Sequence, residues 1–250
     1  MHKPMVRRGG LVGVIAAAAL LAGALPASAA PGDGSAFVAD ASLTLLGNPA
    51  VDVGPLAPSN TSGPTSAQLA SLNIPGVVTA GIVNSSATLD EDTGVVSSHA
   101  DLTNVGLTLA ALGSIGAINV DCTGATDGNT GSTSLANVAL AGVTVPVNPA
   151  PNTVIAVPPG PIPPPLLSIT FNEQITNPDG SLTVNGVHVR LNALLGTGDL
   201  VLASATCGPA AAPMPLASGA GLWLGVGLLG LIAVPAGISV VRRRSAQATG

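Results

Sequence analysis

Two segments of the chain are apolar without a break, and the stretch between them alternates. Leu11 to Pro26 carries no charge and is rich in alanine, and Leu222 to Val241 runs uncharged until it meets Arg242-Arg243-Arg244. Between them, short runs of β-branched and small apolar residues recur, separated by Gly, Pro, Asn and Asp. That is the pattern of half-buried strands joined by turns. The spacing predicts strands over Ala36–Leu46, Val77–Asn84, Val95–Leu102, Ala117–Thr123, Ser134–Leu140, Leu166–Ile175, Ser181–Asn192 and Leu200–Cys207. In the first of them Phe37, Ala39, Ala41, Leu43 and Leu45 alternate with Val38, Asp40, Ser42 and Thr44, which assigns Phe37 to a buried face. Charged helix faces are missing and lysine is absent after Lys3, so surface helices are hard to build. The expected class is all-β, an antiparallel β-sandwich or barrel-like domain.

The clearest local structure is a hairpin. Leu167, Ile169, Phe171 and Ile175 share one parity, and Asn177-Pro178-Asp179-Gly180 supplies Pro and Gly where a tight turn needs them. The return strand begins with Leu182 and Val184 on one parity and continues with Val187, Val189 and Leu191 on the other. The switch at Asn185-Gly186 predicts a β-bulge. His188 and Arg190 then lie opposite Val187, Val189 and Leu191. Residues 158–165, almost all proline, predict a stiff surface loop, with a ligand for an aromatic groove as the alternative.

The ends read as addresses. Lys3, Arg7 and Arg8, the short apolar run and Ala27-Ser28-Ala29 have the order of a secretory signal peptide, with cleavage between Ala29 and Ala30. Leu222–Val241 would span roughly 30 Å as a helix, the thickness of a bilayer core. Trp223 suits the outer interface, and Arg242, Arg243 and Arg244 act as a stop-transfer signal that keeps the C-terminus cytoplasmic. The tail resembles a Gram-positive sorting signal in its order, but Pro213-Met214-Pro215-Leu216-Ala217-Ser218-Gly219 lacks a sortase motif. Retention as a single-pass membrane protein is therefore the expectation. The chain divides into a signal peptide (1–29), an extracellular β-domain (30–208), a spacer (209–221), a transmembrane helix (222–241) and a basic tail (242–250).

Composition sharpens this division. Of 250 residues 47% are apolar and 8% charged, and six of the seven bases flank the two apolar ends. Arg190 is the single base among twelve acids from Ala30 to Gly221, so that region carries +1 − 12 = −11. Nucleic-acid binding needs the opposite sign. Phe37 and Phe171 are the only aromatic residues outside the C-terminal apolar segment, which disfavours stacking on sugar rings.

Little chemistry is signalled. Cys122 and Cys207, 85 positions apart in an exported chain, predict a disulfide. His99 and His188 stand in no hydrolase signature. Asp92-Thr93-Gly94 copies the aspartic-protease tripeptide once, whereas that mechanism needs two such loops. Asp90, Glu91 and Asp92 are the candidate ligands for Ca²⁺, set against a solvated turn. Asp121 and Asp127 lack the spacing of a calcium loop. No cofactor is implied.

Residues Val120–Gly142, with Cys122, Asp127, Gly128, Gly131, Leu135, Asn137 and Leu140, resemble the secreted actinobacterial proteins called the choice-of-anchor P family. So do Asn148–Thr153, the run from Phe171 and Glu173 through Asn177-Pro178-Asp179-Gly180, and Ser204–Gly208. The similarity covers roughly residues 36 to 208. It implies a common ectodomain joined to a C-terminal anchor and no catalytic set. The expected function is a non-enzymatic, membrane-anchored surface protein with a structural or adhesive role. The alternatives are a Ca²⁺-dependent extracellular binding module and an envelope hydrolase built on Asp92, His99 or His188. Convergence of His and Asp side chains in one pocket would favour the hydrolase.

Overall fold

The computed structural model describes residues 30–45, 51–140, 143–157 and 165–212. The segments read as signal peptide and membrane helix lie outside these residues, with their cleavage site at Ala29 and their arginine cluster, and so does most of the Pro-rich loop. Among the described residues no helix is long and apolar enough to cross a membrane.

Alternating sequence becomes an antiparallel β-sandwich. The strands are β1 (Gly34–Leu45), β2 (Val51–Leu56), β3 (Ser59–Asn60), β4 (Ser66–Leu69), β5 (Leu72–Ile74), β6 (Val78–Ala80) and β7 (Val83–Leu89). There follow β8 (Val96–Leu107), β9 (Gly113–Ala125), β10 (Gly128–Leu140), β11 (Thr153–Val157), β12 (Leu167–Thr176), β13 (Leu182–Leu191) and β14 (Gly196–Cys207). The first sheet has the order β11-β12-β13-β14-β1-β2, with β3 beside the start of β1. The second runs β10-β9-β8, and β6 and β7 share the far edge of β8, carrying β5 and β4 outside them. Phe171, Leu43, Leu102, Ile118, Leu135 and Leu202 are among the largest side chains of the core between the sheets.

Each predicted strand is present, with informative differences in length. Strands β8, β9 and β10 run further than their apolar cores because Ser, Thr and Gly continue the ladders. Val77–Asn84 is broken into β6 and the start of β7 at Gly81-Ile82, yet both halves keep one register on β8: Val78 opposite Leu107, Val83 opposite Leu102. Strands β2 to β5 and β11 were not predicted. The first four are two to six residues long and interrupted by Pro55, Pro64 and Gly63, too short for alternation to register.

The predicted bulge at Asn185-Gly186 needs correction. The change of parity is there, but no residue is inserted. Phe171 pairs Val187 and Glu173 pairs Asn185, on either side of Asn172 and Gly186. The same step continues through Ala203 on β14 and Val38 on β1 with the register unbroken. One residue in each of four adjacent strands thus lies on a transverse row, and Asn172 (φ 50°) and Ala203 (φ 54°) adopt left-handed backbone there. The second sheet has its own row, Gly81, Asn104 (φ 51°), Gly116 and Asn137 (φ 50°). Asn tolerates this conformation better than most residues because its side chain can bond locally. Because all neighbours turn together, every ladder survives while inward positions shift by one.

That crease explains the one misplaced aromatic. On β1 the buried positions are Ala36 and Val38, then Ala39, Ala41 and Leu43. Phe37 falls on the outer face, half-buried, while Phe171 is fully enclosed.

The disulfide forms between Cys122 on β9 and Cys207 on β14, joining the two sheets with Cα atoms 5.6 Å apart. Closing a loop of that separation contributes about 4–5 kcal/mol in the chain-entropy account. Both ends of the domain meet beside it. The Gly208 N–H donates to the Asp33 carbonyl (2.7 Å), Gly32 to Pro209 (2.9 Å) and Ala211 to Gly94 (2.9 Å).

Candidate functional site

Registers of the first sheet bring four charged residues from three strands onto its outer face. Thr170, His188 and Val201 form one cross-strand row, and Ser168, Arg190 and Asp199 the next. Glu173 on β12 reaches them across the crease. Its Oε2 accepts from Asn185 Nδ2 (2.8 Å) and contacts His188 Nδ1 (2.6 Å), and its Oε1 accepts from Arg190 (2.8 Å). His188 Nε2 faces Asp199 Oδ1 at 3.3 Å, and the Ser204 hydroxyl donates to Asn185 Oδ1 (2.8 Å). Glu173, Asn185, His188 and Ser204 are each at most 7% exposed. Burial alone pushes the Glu173 carboxyl up. Hydrogen bonds from Asn185 and His188, with the positive charges of His188 and Arg190, outweigh it and hold the carboxyl below its ordinary range.

The second sheet carries a more open counterpart. Here Ser66, Ser86, His99 and Asp121 form one row across β4, β7, β8 and β9. His99 Nδ1 lies 2.8 Å from Asp121 Oδ1 and Nε2 lies 3.3 Å from Asp101 Oδ1, whose other oxygen accepts from Asn84 (2.9 Å). Beside the ring is an open concavity of about 410 Å³ lined by Ser66, Gln68, Asn84, Ser86 and His99, among others. A serine, a histidine and an aspartate on neighbouring strands have the right types for nucleophilic catalysis. Their aim is wrong for it, because Nε2 is turned toward Asp101 instead of Ser86. Both ring nitrogens face carboxylate oxygens, Nδ1 that of Asp121 and Nε2 that of Asp101.

The other sequence candidates stay apart. Asp90, Glu91 and Asp92 form the β7–β8 turn, where Asp90 Oδ1 accepts from the backbone N–H of Asp92 (2.9 Å) and Thr93 (3.1 Å). The Thr93 backbone and hydroxyl hydrogen bonds, then that of Asp92, lower the Asp90 carboxyl. Its Oδ1 is engaged by the turn. Among the described residues no group of three or more His, Cys, Asp or Glu is placed to hold a metal ion. Asp127 sits in the β9–β10 turn, away from the His99 row that takes Asp121.

Sequence reasoning found His99, His188 and Arg190 but not their partners Glu173, Asp199 and Asp101. The opposite parity of His188 and Arg190 from the apolar residues of β13 was the available signal. Which acids stand across from them depends on strand order. Compared with known proteins, the chain matches no family model, no curated protein and no solved structure.

Proposed function

We propose that this chain is a non-enzymatic surface protein of the choice-of-anchor P type. It is exported, held in the cell membrane by Leu222–Val241, and presents its β-domain outside with a structural or adhesive role. One observation carries the reading: His99, His188 and Arg190 are each tied to carboxylates of their own sheet. Glu173 has both oxygens occupied, and His99 is held between two carboxylates with neither nitrogen aimed at a hydroxyl. Catalysis needs such groups free and convergent on a reacting atom.

The meeting of the two domain ends at one pole supports a tether from that pole. Protease shaving of whole cells followed by fractionation tests the proposal. The β-domain should be released while a fragment carrying the C-terminal segment stays with the membrane. Full-length protein in the culture medium would contradict it. Thermal melting of the purified chain with and without a chelator should give the same midpoint, and a shift would favour the calcium-dependent module.

A further inference from the structure

We infer that the Cys122–Cys207 bridge is a mechanical clasp, placed to carry load that enters the domain from its C-terminal side. The inference rests on the proposed reading that the chain is held by its C-terminal segment. Pull on residue 208 then falls first on β14, the strand that ends at Cys207.

Strand β14 is built to resist that pull. It is a central strand, paired antiparallel with β1 on one side and with β13 on the other. Twelve residues at about 3.4 Å each give a strand of roughly 40 Å. Tension along its axis acts on both ladders in shear, so many hydrogen bonds must fail together instead of one after another. The vulnerable point is the loaded end, where the pairs Gly34–Cys207 and Leu182–Cys207 would part first. The disulfide sits at that point, and it ties the strand to the other sheet, so force passes into β9 through a covalent bond.

The exit segment beyond the bridge is seated as well. Asn129 Nδ2 on β10 donates to the Cys207 carbonyl (3.3 Å) and to Gly180 (2.8 Å). Gly208, Pro209 and Ala211 bond to Asp33, Gly32 and Gly94 respectively. Two glycines make room for this. A methyl group at Gly124 would strike the Gly208 carbonyl oxygen, and one at Gly94 would strike that of Ala211. The N-terminal side has no comparable lock. Gly34 begins β1 with strand pairing and one hydrogen bond from its N–H to Thr61 Oγ1 (3.1 Å), without a covalent tie, since Cys122 and Cys207 are the chain's only cysteines.

A stabilising crosslink acts from whichever end the domain is pulled, whereas a clasp is directional. Magnetic tweezers on the full chain in detergent separate the two. The first handle attaches to Ile82→Cys, half-exposed on the second sheet, where the label finds no competing free thiol. The second attaches to a tag placed either after Gly250 or between Ala29 and Ala30, where it stays on the mature chain. With C-terminal loading, removing the bridge by Cys122→Ala and Cys207→Ala is expected to shorten the folded lifetime at constant force about tenfold or more, against less than about threefold with N-terminal loading. Equal shortening from both ends would overturn the clasp.

If the cysteine-free chain does not fold, the folded chain with its native bridge is measured before and after reduction of that bridge by a phosphine, the thioether handle at residue 82 being inert to it. Reduction should shorten the lifetime about tenfold or more under C-terminal loading and less than about threefold under N-terminal loading, and equal shortening from both ends would overturn the inference. Anchoring is read separately by the fractionation, so failure of the tether and failure of the clasp are distinguishable.

Discussion

The two histidines of the domain sit in nearly the same chemical company and in opposite physical settings. Each is bracketed by two carboxylates on the outer face of a sheet. His188 is 7% exposed and shares Glu173 with Asn185 and Arg190, while the side chains of His99 and Asp121 are 37% and 63% exposed. Water already solvates most of what the His99 group offers, so its bridges add little. In the buried group the protein has replaced water, and each missing partner leaves a charge or donor stranded. Similar groups thus differ in consequence through burial.

The largest expected effect comes from removing the centre of the buried group. Glu173→Ala takes the buried acceptor from His188 Nδ1 and Asn185 Nδ2 and should lower unfolding stability by about 3 kcal/mol, read from the urea midpoint at unchanged m. His188→Ala should cost somewhat less, about 2 kcal/mol, because Arg190 still pairs with Glu173. A loss below about 0.5 kcal/mol for Glu173→Ala would erase the contrast with the exposed group.

Acid should reveal the same contrast. The folded carboxyl of Glu173 titrates below its unfolded value near 4.5, so its stabilising contribution is present above that value. It is lost as pH falls through the lower, folded value. Asp40 on the same face works in the other sense. Burial, and then repulsion from Asp52, raises its carboxyl, so its charged form opposes folding above its unfolded value near 3.8. Asp40→Asn should therefore stabilise slightly at neutral pH and make no difference in acid. A midpoint that ignores pH in the Glu173 window would contradict the assignment.

The smallest effects belong to the exposed group. Asp121→Asn or His99→Ala should change stability by less than about 1 kcal/mol and respond to salt. Neither substitution should alter the buried group, which lies on the other sheet.

Much of this architecture was legible in the sequence, and the limits were physical. Alternation marked the long strands because one face of each is buried. It missed β2 to β5, where two to six residues between prolines give the period no room. The parity change at Gly186 could be seen on β13 alone. Its meaning as a crease required knowing that Asn172, Gly186, Ala203 and Val38 share a row, which is a property of register. Phe37 was assigned to the wrong face for the same reason. His188 and Arg190 could be placed opposite the apolar face, but Glu173 and Asp199 joined them only through strand order. The cysteines were the exception, since two alone leave one pairing.

Burial makes one histidine group a brace of the fold and leaves the other nearly neutral. Double-mutant cycles for Glu173–His188 and His99–Asp121, measured by urea unfolding under the same conditions, test it most directly. The coupling should exceed about 1.5 kcal/mol for the first pair and stay below about 0.5 kcal/mol for the second. Equal couplings, or a larger one for His99–Asp121, would contradict it.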